Sequence, residues 1–220
     1  MENYMLISHK NKFIILSIPK TGSRSLRETL EPLKILDIIG IGAHNKSFKH
    51  HGTSLECKHD LQNIGYCFDE YFSFCVVRNP WDRYLSLFKY CKEKKEEYLN
   101  KDRNEIWHER RVVFGKFCVD LFEQKNDQEI LKKLINTNLD QSCYYLNNKD
   151  EIMVSHIAKF ENIQKEFDYF CETVGLDKIK LLHSNKSVTQ ISYRDIYDQE
   201  LVDLVEKKEK KVINLMSYQY

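Results

Sequence analysis

The sequence lacks an excess of charge of either sign, paired cysteines and any long hydrophobic run. Its 34 lysines and arginines stand against 33 aspartates and glutamates, a formal net charge of +1. No global field therefore recruits nucleic acid or an acidic membrane, and anion recognition must be local. The seven cysteines (Cys57, Cys67, Cys75, Cys91, Cys118, Cys143 and Cys171) are odd in number, scattered, and include no C-x-x-C. That pattern argues against a disulfide framework and against metal-ligand spacing. Cys75 and Cys118 lie in apolar runs and read as small hydrophobes. A reducing compartment fits this usage, so a cytoplasmic location is expected. The first ten residues hold no apolar core of a signal peptide. Nowhere do about eighteen uncharged apolar residues run together, so no membrane span is expected.

Further absences narrow the chemistry. His44, His50 and His51 do not match H-E-x-x-H or zinc-finger spacing, and no acidic or thiol ligand set accompanies them. No metal is expected. Internal repeats, low-complexity segments and linkers are missing. With 42% hydrophobic and 30% charged residues in 220, the chain reads as one well-cored domain over 1–220.

What the sequence does hold is organised around residues 13–26. Phe13-Ile14-Ile15-Leu16, with Ile18, suits a strand buried on both faces, as in a parallel sheet. Pro19 has no N–H to donate and ends the ladder. Gly22 permits positive φ and close backbone approach. Ser23 or Ser25 is expected to cap a helix running through Leu26 and Leu30 towards Pro32. The first-turn N–H groups of that helix, beside Lys20, make an anion pocket for a phosphate or sulfate. The loop is not a Walker A motif, because its lysine precedes the glycine. The plainer alternative is a strand–turn–helix corner with a solvated lysine.

A second strand–loop–helix unit follows. Residues 71–77 are aromatic and β-branched and end at once in Arg78-Asn79-Pro80-Trp81-Asp82-Arg83. Asn79 is a natural N-cap and Pro80 a natural N1 residue for a helix to about Tyr98. Trp81, Tyr84, Leu85 and Phe88 share its apolar face, while Asn79, Arg83 and Ser86 share a polar one. Arg78 falls at the carboxyl end of the strand, where open α/β sheets bind ligands. An arginine there can grip a phosphate with two parallel N–H bonds. The alternative is an ion pair of Arg78 or Arg83 with Asp82. Between the two units, 33–41 reads as a neighbouring strand and 43–51 as a basic loop. A helix capped near Thr53 or Ser54 follows, with Glu56 in its first turn. An imidazole from the basic loop could serve as a general base.

Beyond residue 93 the chain is densely charged to 111, where Trp107 reads as a loop anchor, with stacking on a sugar as the alternative. Helices are expected at 114–124 (Phe114, Phe117, Cys118, Leu121 and Phe122 inward), at 129–135 and at 161–175, the last stopped by Gly175. A strand is expected at 152–160. Asp195 is expected to cap a long C-terminal helix with Leu201, Leu204, Val205, Val212 and Leu215 inward. The fold class is therefore α/β, P-loop-like and three-layered, with a central, mostly parallel sheet flanked by helices.

Taken together, these motifs resemble the PAPS-dependent sulfotransferases, in the branch of the Golgi carbohydrate enzymes and their soluble bacterial relatives. Ile18-Pro19-Lys20-Thr21-Gly22-Ser23-Arg24-Ser25 is similar to that family's 5′-phosphosulfate loop. The stretch from Phe74 to Ser86 is similar to its 3′-phosphate motif. Lys49-His50-His51-Gly52-Thr53-Ser54 resembles the segment that supplies its base. Phe160-Glu161-Asn162-Ile163, Asn185-Lys186-Ser187 and the closing Ser217-Tyr218 echo later landmarks. One departure is Glu209-Lys210-Lys211-Val212, where the family often has an aspartate whose role is a contact to a helix.

The resemblance implies the roles. Lys20 would stabilise charge on the departing PAP. Backbone amides of Thr21, Gly22, Ser23, Arg24 and Ser25, with the Ser23 and Ser25 hydroxyls, would cradle the 5′-phosphate. Arg78 and Ser86 would hold the 3′-phosphate. His51, with His50 as a substitute, would take the proton of an acceptor hydroxyl on a glycan or small natural product. Lys186 and Tyr193 would belong to a loop over the nucleotide. PAPS is the implied donor and PAP the product, with no metal. A small-molecule P-loop kinase and a non-catalytic nucleotide- or glycan-binding protein of the same fold are the alternatives. The sulfotransferase reading requires the Lys20 turn and Arg78 to lie close enough to share one adenosine.

Overall fold

The computed structural model describes residues 5–33, 35, 51–100, 109–123, 126–182 and 191–220. It divides into two compact units. The first comprises residues 1–78 and 140–189, the second residues 79–139 and 190–220.

The first unit is built on a four-stranded sheet of β1 (Leu6–Ser8), β2 (Phe13–Leu16), β3 (Phe72–Val77) and β4 (His156–Lys159), in that spatial order. β1 runs antiparallel to β2, and β2, β3 and β4 are mutually parallel. Ile15 pairs with Phe74, and Val77 with Lys159, so the carboxyl ends of the three parallel strands lie at one edge. Helices α1 (Ser23–Leu30), α2 (Ser54–Asn63) and α6 (Ile163–Thr173) complete this unit.

Strand residues of one parity (Phe13, Ile15, Phe74 and Val76) pack with Leu26 and Leu30 of α1 and with Phe167, Phe170 and Cys171 of α6. Residues of the other parity (Ile14, Leu16, Cys75 and Val77) are equally buried. A sheet covered on both faces needs apolar residues at every position, which explains the unbroken run at 13–16. Each of these side chains contributes roughly 1.5–3 kcal/mol by leaving water. The architecture is α/β with a mostly parallel sheet flanked by helices, as the hydrophobic pattern predicts.

The second unit is helical: α3 (Pro80–Leu99), α4 (Glu109–Phe122), α5 (Asp127–Thr137), α7 (Gln199–Lys208) and α8 (Lys210–Met216). Asn79 caps α3 by accepting from the Asp82 N–H, with Pro80 at N1. Trp81, Tyr84, Leu85 and Phe88 are buried, with Leu121, Leu134, Leu201 and Val205 in the same core. All seven cysteines are free thiols. Burial pushes the Cys57 thiol up to about 12, with Asp60 adding to the effect, and raises that of Cys75 as well. Both behave as small hydrophobes. Among the described residues no helix is long and apolar enough to cross a membrane.

Several details differ from expectation. The C-terminal helix is two, capped by Asp198 rather than Asp195, which instead closes a 3-10 turn. β4 is shorter than the apolar run suggests, and Ile152 makes only an isolated bridge to Leu146. Phe117 and Leu215, expected inward, are exposed. Leu33 lies in a 3-10 turn, and the rest of the strand expected at 33–41 falls outside the described residues, apart from Ile35.

Candidate active site

The loop between β2 and α1 is shaped by its own backbone. Lys20 and Gly22 both adopt left-handed conformations, with φ of 69° and 89°. Such a residue is rare for lysine, costs about 1–3 kcal/mol, and points to a functional constraint. Thr21 is buried, and its hydroxyl donates to the Ile18 carbonyl at 2.9 Å, closing the loop on itself. Gly22 is required twice over. Beyond its positive φ, a Cβ there would sit 2.8 Å from Ile163 Cδ1 and 3.0 Å from the Phe160 ring.

Neither Ser23 nor Ser25 caps α1, contrary to expectation. Gly22 occupies the N-cap and supplies no side-chain acceptor. A helix start without its own capping oxygen suits an external anion, which takes the place that a capping carboxylate or hydroxyl would fill. Arg24 points outward and pairs with Glu28 at 2.6 Å, so its part in an anion site would be its backbone. Ser25 lies in the first turn, and its carbonyl accepts from Thr29.

Arg78 follows β3 directly. Its Nη1 donates to the Lys20 carbonyl at 3.1 Å, and its guanidinium lies over the Phe160 ring, 4.4 Å from the centroid. The structure thus brings the Lys20 turn and Arg78 into direct contact. Phe160, just past β4, braces both the arginine and Gly22. Three segments that leave the same edge of the parallel sheet converge here, at the position where open α/β sheets bind ligands.

His51 precedes α2, whose start is fixed by a capping box. Thr53 accepts from the Glu56 N–H, and Glu56 accepts from the Thr53 N–H. The His51 Nδ1 lies 2.6 Å from the Ser17 carbonyl. A carbonyl only accepts, so Nδ1 carries the proton, and in the neutral ring Nε2 is the basic nitrogen. The base candidate is thereby tied to the last residues before the Lys20 loop. Ser86 lies on α3 in the second unit and is half-buried. His44, Lys49, His50, Trp107 and Lys186 fall outside the described residues. Tyr193 lies in the second unit, in the 3-10 turn before α7.

Arg83 is not on an open polar face. It is buried, with its Nη1 donating to Glu209 at 2.7 Å and its Nη2 to the Leu139 carbonyl at 3.1 Å. Tyr84 donates to the same Glu209 oxygen at 3.0 Å. Burial raises the Tyr84 phenol, and the Glu209 charge raises it further. Glu209 therefore makes a double contact to α3.

Gln141 escaped the sequence reading. It is fully buried and brackets the Arg78 backbone, accepting from the N–H at 2.9 Å and donating to the C=O at 2.9 Å. Its signal was faint, a glutamine after Asp140 in what reads as a polar turn. Asp140 caps that turn by accepting from the Ser142 and Cys143 N–H groups. Burial pushes the Asp140 carboxyl up, but hydrogen bonds from Ser142 and Cys143 outweigh it and hold its pKa below the ordinary value.

The fold is a mostly parallel sheet in which β2 leads through a loop without Walker order into α1. The sequence profile of the sulfotransferase family matches residues 3–216, and the chain belongs to that family. Among solved structures, a sulfotransferase from Alicyclobacillus acidocaldarius aligns over 95% of this chain and 87% of its own, at 11% identity and a TM-score of 0.33. That likeness is too distant to carry any part of the argument. No curated protein sequence matches the chain.

Proposed function

We propose that this chain transfers the sulfuryl group from PAPS to an acceptor hydroxyl, on a glycan or a small natural product, as a single sulfotransferase-like domain over 1–220. Family membership supports sulfuryl transfer in general, and the profile match runs through both compact units. The observation that carries the finer reading is the hydrogen bond from Arg78 to the Lys20 carbonyl. That contact between the Lys20 turn and Arg78 supports a reading in which the two grip the 5′-phosphosulfate and the 3′-phosphate of one nucleotide. A kinase reading has less support, because the lysine precedes the glycine and the loop has no Walker order. The free thiols suit a reducing, cytoplasmic setting.

In this reading the α1 amides from Thr21 to Ser25, with the Ser23 and Ser25 hydroxyls, hold the 5′-phosphate. Arg78 holds the 3′-phosphate. The Ser86 assignment rests on the motif resemblance alone. The acceptor oxygen attacks sulfur in line with the departing phosphate oxygen. The new O–S bond forms as the old S–O bond breaks. His51 Nε2 takes the acceptor's proton, and Nδ1 keeps its own because the Ser17 carbonyl holds it. Lys20 stabilises the negative charge that collects on PAP.

Transfer from labelled PAPS to a hydroxyl-acceptor library, without metal, tests the proposal. His51→Ala should cut the rate by ~10²-fold or more with PAP affinity retained, and Lys20→Ala should cut it by ~10²–10³-fold. Transfer from ATP but not from PAPS would reject the reading. Tight PAP binding with no turnover on any acceptor would favour a non-catalytic binding protein. Full turnover in both His50→Ala and His51→Ala would reject the assigned base.

A further inference from the structure

The geometry points to Gln141 as a positioning residue that sets the protein's preference for a 3′-phosphorylated nucleotide, by fixing the backbone of Arg78. The inference rests on the proposal that Arg78 grips the 3′-phosphate. Ladder pairing between β3 and β4 ends at Val77 with Lys159. Arg78 is the next residue, just beyond the last register pair. Gln141 holds its backbone there with a side chain. Its Oε1 accepts from the Arg78 N–H and its Nε2 donates to the Arg78 C=O, both at 2.9 Å. The amide orientation follows from chemistry, since an N–H can only donate and a carbonyl only accept.

Two hydrogen bonds to one residue fix both its position and its rotation about the chain. From that fixed origin the Arg78 side chain reaches the Lys20 carbonyl and stacks on Phe160. Gln141 is itself fully buried, on a 3-10 turn capped by Asp140. It therefore does not reach a nucleotide, and its effect passes through Arg78. Losing the amide would remove both bonds together and let the arginine's origin drift. Recognition of the 5′ end, which falls to the Lys20 loop and α1, would be spared.

Calorimetric titration of the whole chain with PAP and with adenosine 5′-phosphate separates the possibilities, because the two ligands differ only in the 3′-phosphate. Wild type should prefer PAP, and Arg78→Ala should erase that preference. Gln141→Leu should shrink the preference by about tenfold or more, with adenosine 5′-phosphate affinity nearly unchanged. In the Arg78→Ala background Gln141→Leu should add nothing, since the two act through one contact. Gln141→Glu supplies a rescue and stands in if the leucine variant does not fold. Its neutral carboxyl offers one acceptor and one donor, as the amide does, and its ionised form has no donor. Relative to wild type at the same pH, its PAP preference should rise as pH falls.

The failures are distinct. If Arg78→Ala keeps the preference for PAP, the 3′-phosphate assignment itself is wrong and this inference falls with it. If Arg78→Ala loses the preference while Gln141→Leu keeps it, or weakens both ligands alike, Gln141 is merely structural and only the inference is overturned. A Gln141→Glu preference that does not change with pH overturns it as well.

Discussion

Gly22 shows how one residue can carry both a shape and a site. Its left-handed φ and its contact with Ile163 and Phe160 leave no room for a side chain. Gly22→Ala should therefore cost about 1–3 kcal/mol of stability, read as a lower thermal or denaturant midpoint. PAP affinity should fall further than stability accounts for, because the same turn sets the amides of α1. A variant with unchanged midpoint and affinity would show that the loop tolerates a Cβ. Gly22, Lys20, Arg78 and His51 were all legible in the sequence as candidates, since each sits in a short motif with its own local chemistry. Gln141 was not, because its partner is 63 positions away and nothing local marks a buried glutamine.

At the scale of elements, hydrophobic period and cap chemistry found β2, β3, α3, α5 and α6 close to their observed bounds, and the start of α2. The misses have physical causes. The serines after Gly22 have the chemistry of caps, yet the glycine takes the N-cap. Asp195 and Asp198 both suit a cap, and only the fold chooses Asp198. Arg83 reads as polar and solvated, and tertiary pairing with Glu209 buries it instead. That pair joins α3 to the junction of α7 and α8, with side-chain exposures of 2% and 0%. Glu209→Ala should cost about 3–5 kcal/mol by stranding a buried guanidinium. Replacing Arg83 and Glu209 together with Met and Leu should cost much less than the sum of the single changes. Equal and additive losses in a double-mutant cycle would contradict that coupling.

On the scale of the whole molecule, the net charge of +1 leaves recognition to local grips. The candidate grips, the Lys20 loop and Arg78, lie where parallel strands end, which is a property of topology rather than of composition. The family match runs from residue 3 to residue 216 and so takes in the helical unit as well as the sheet. The most direct measurement is nucleotide affinity in the presence of a chelator, PAP against ATP, for wild type and Arg78→Ala. The account predicts that wild type binds PAP without metal and well ahead of ATP, and that Arg78→Ala loses about tenfold or more of the PAP affinity. Binding of ATP that requires magnesium, with PAP no better than adenosine 5′-phosphate, would contradict it.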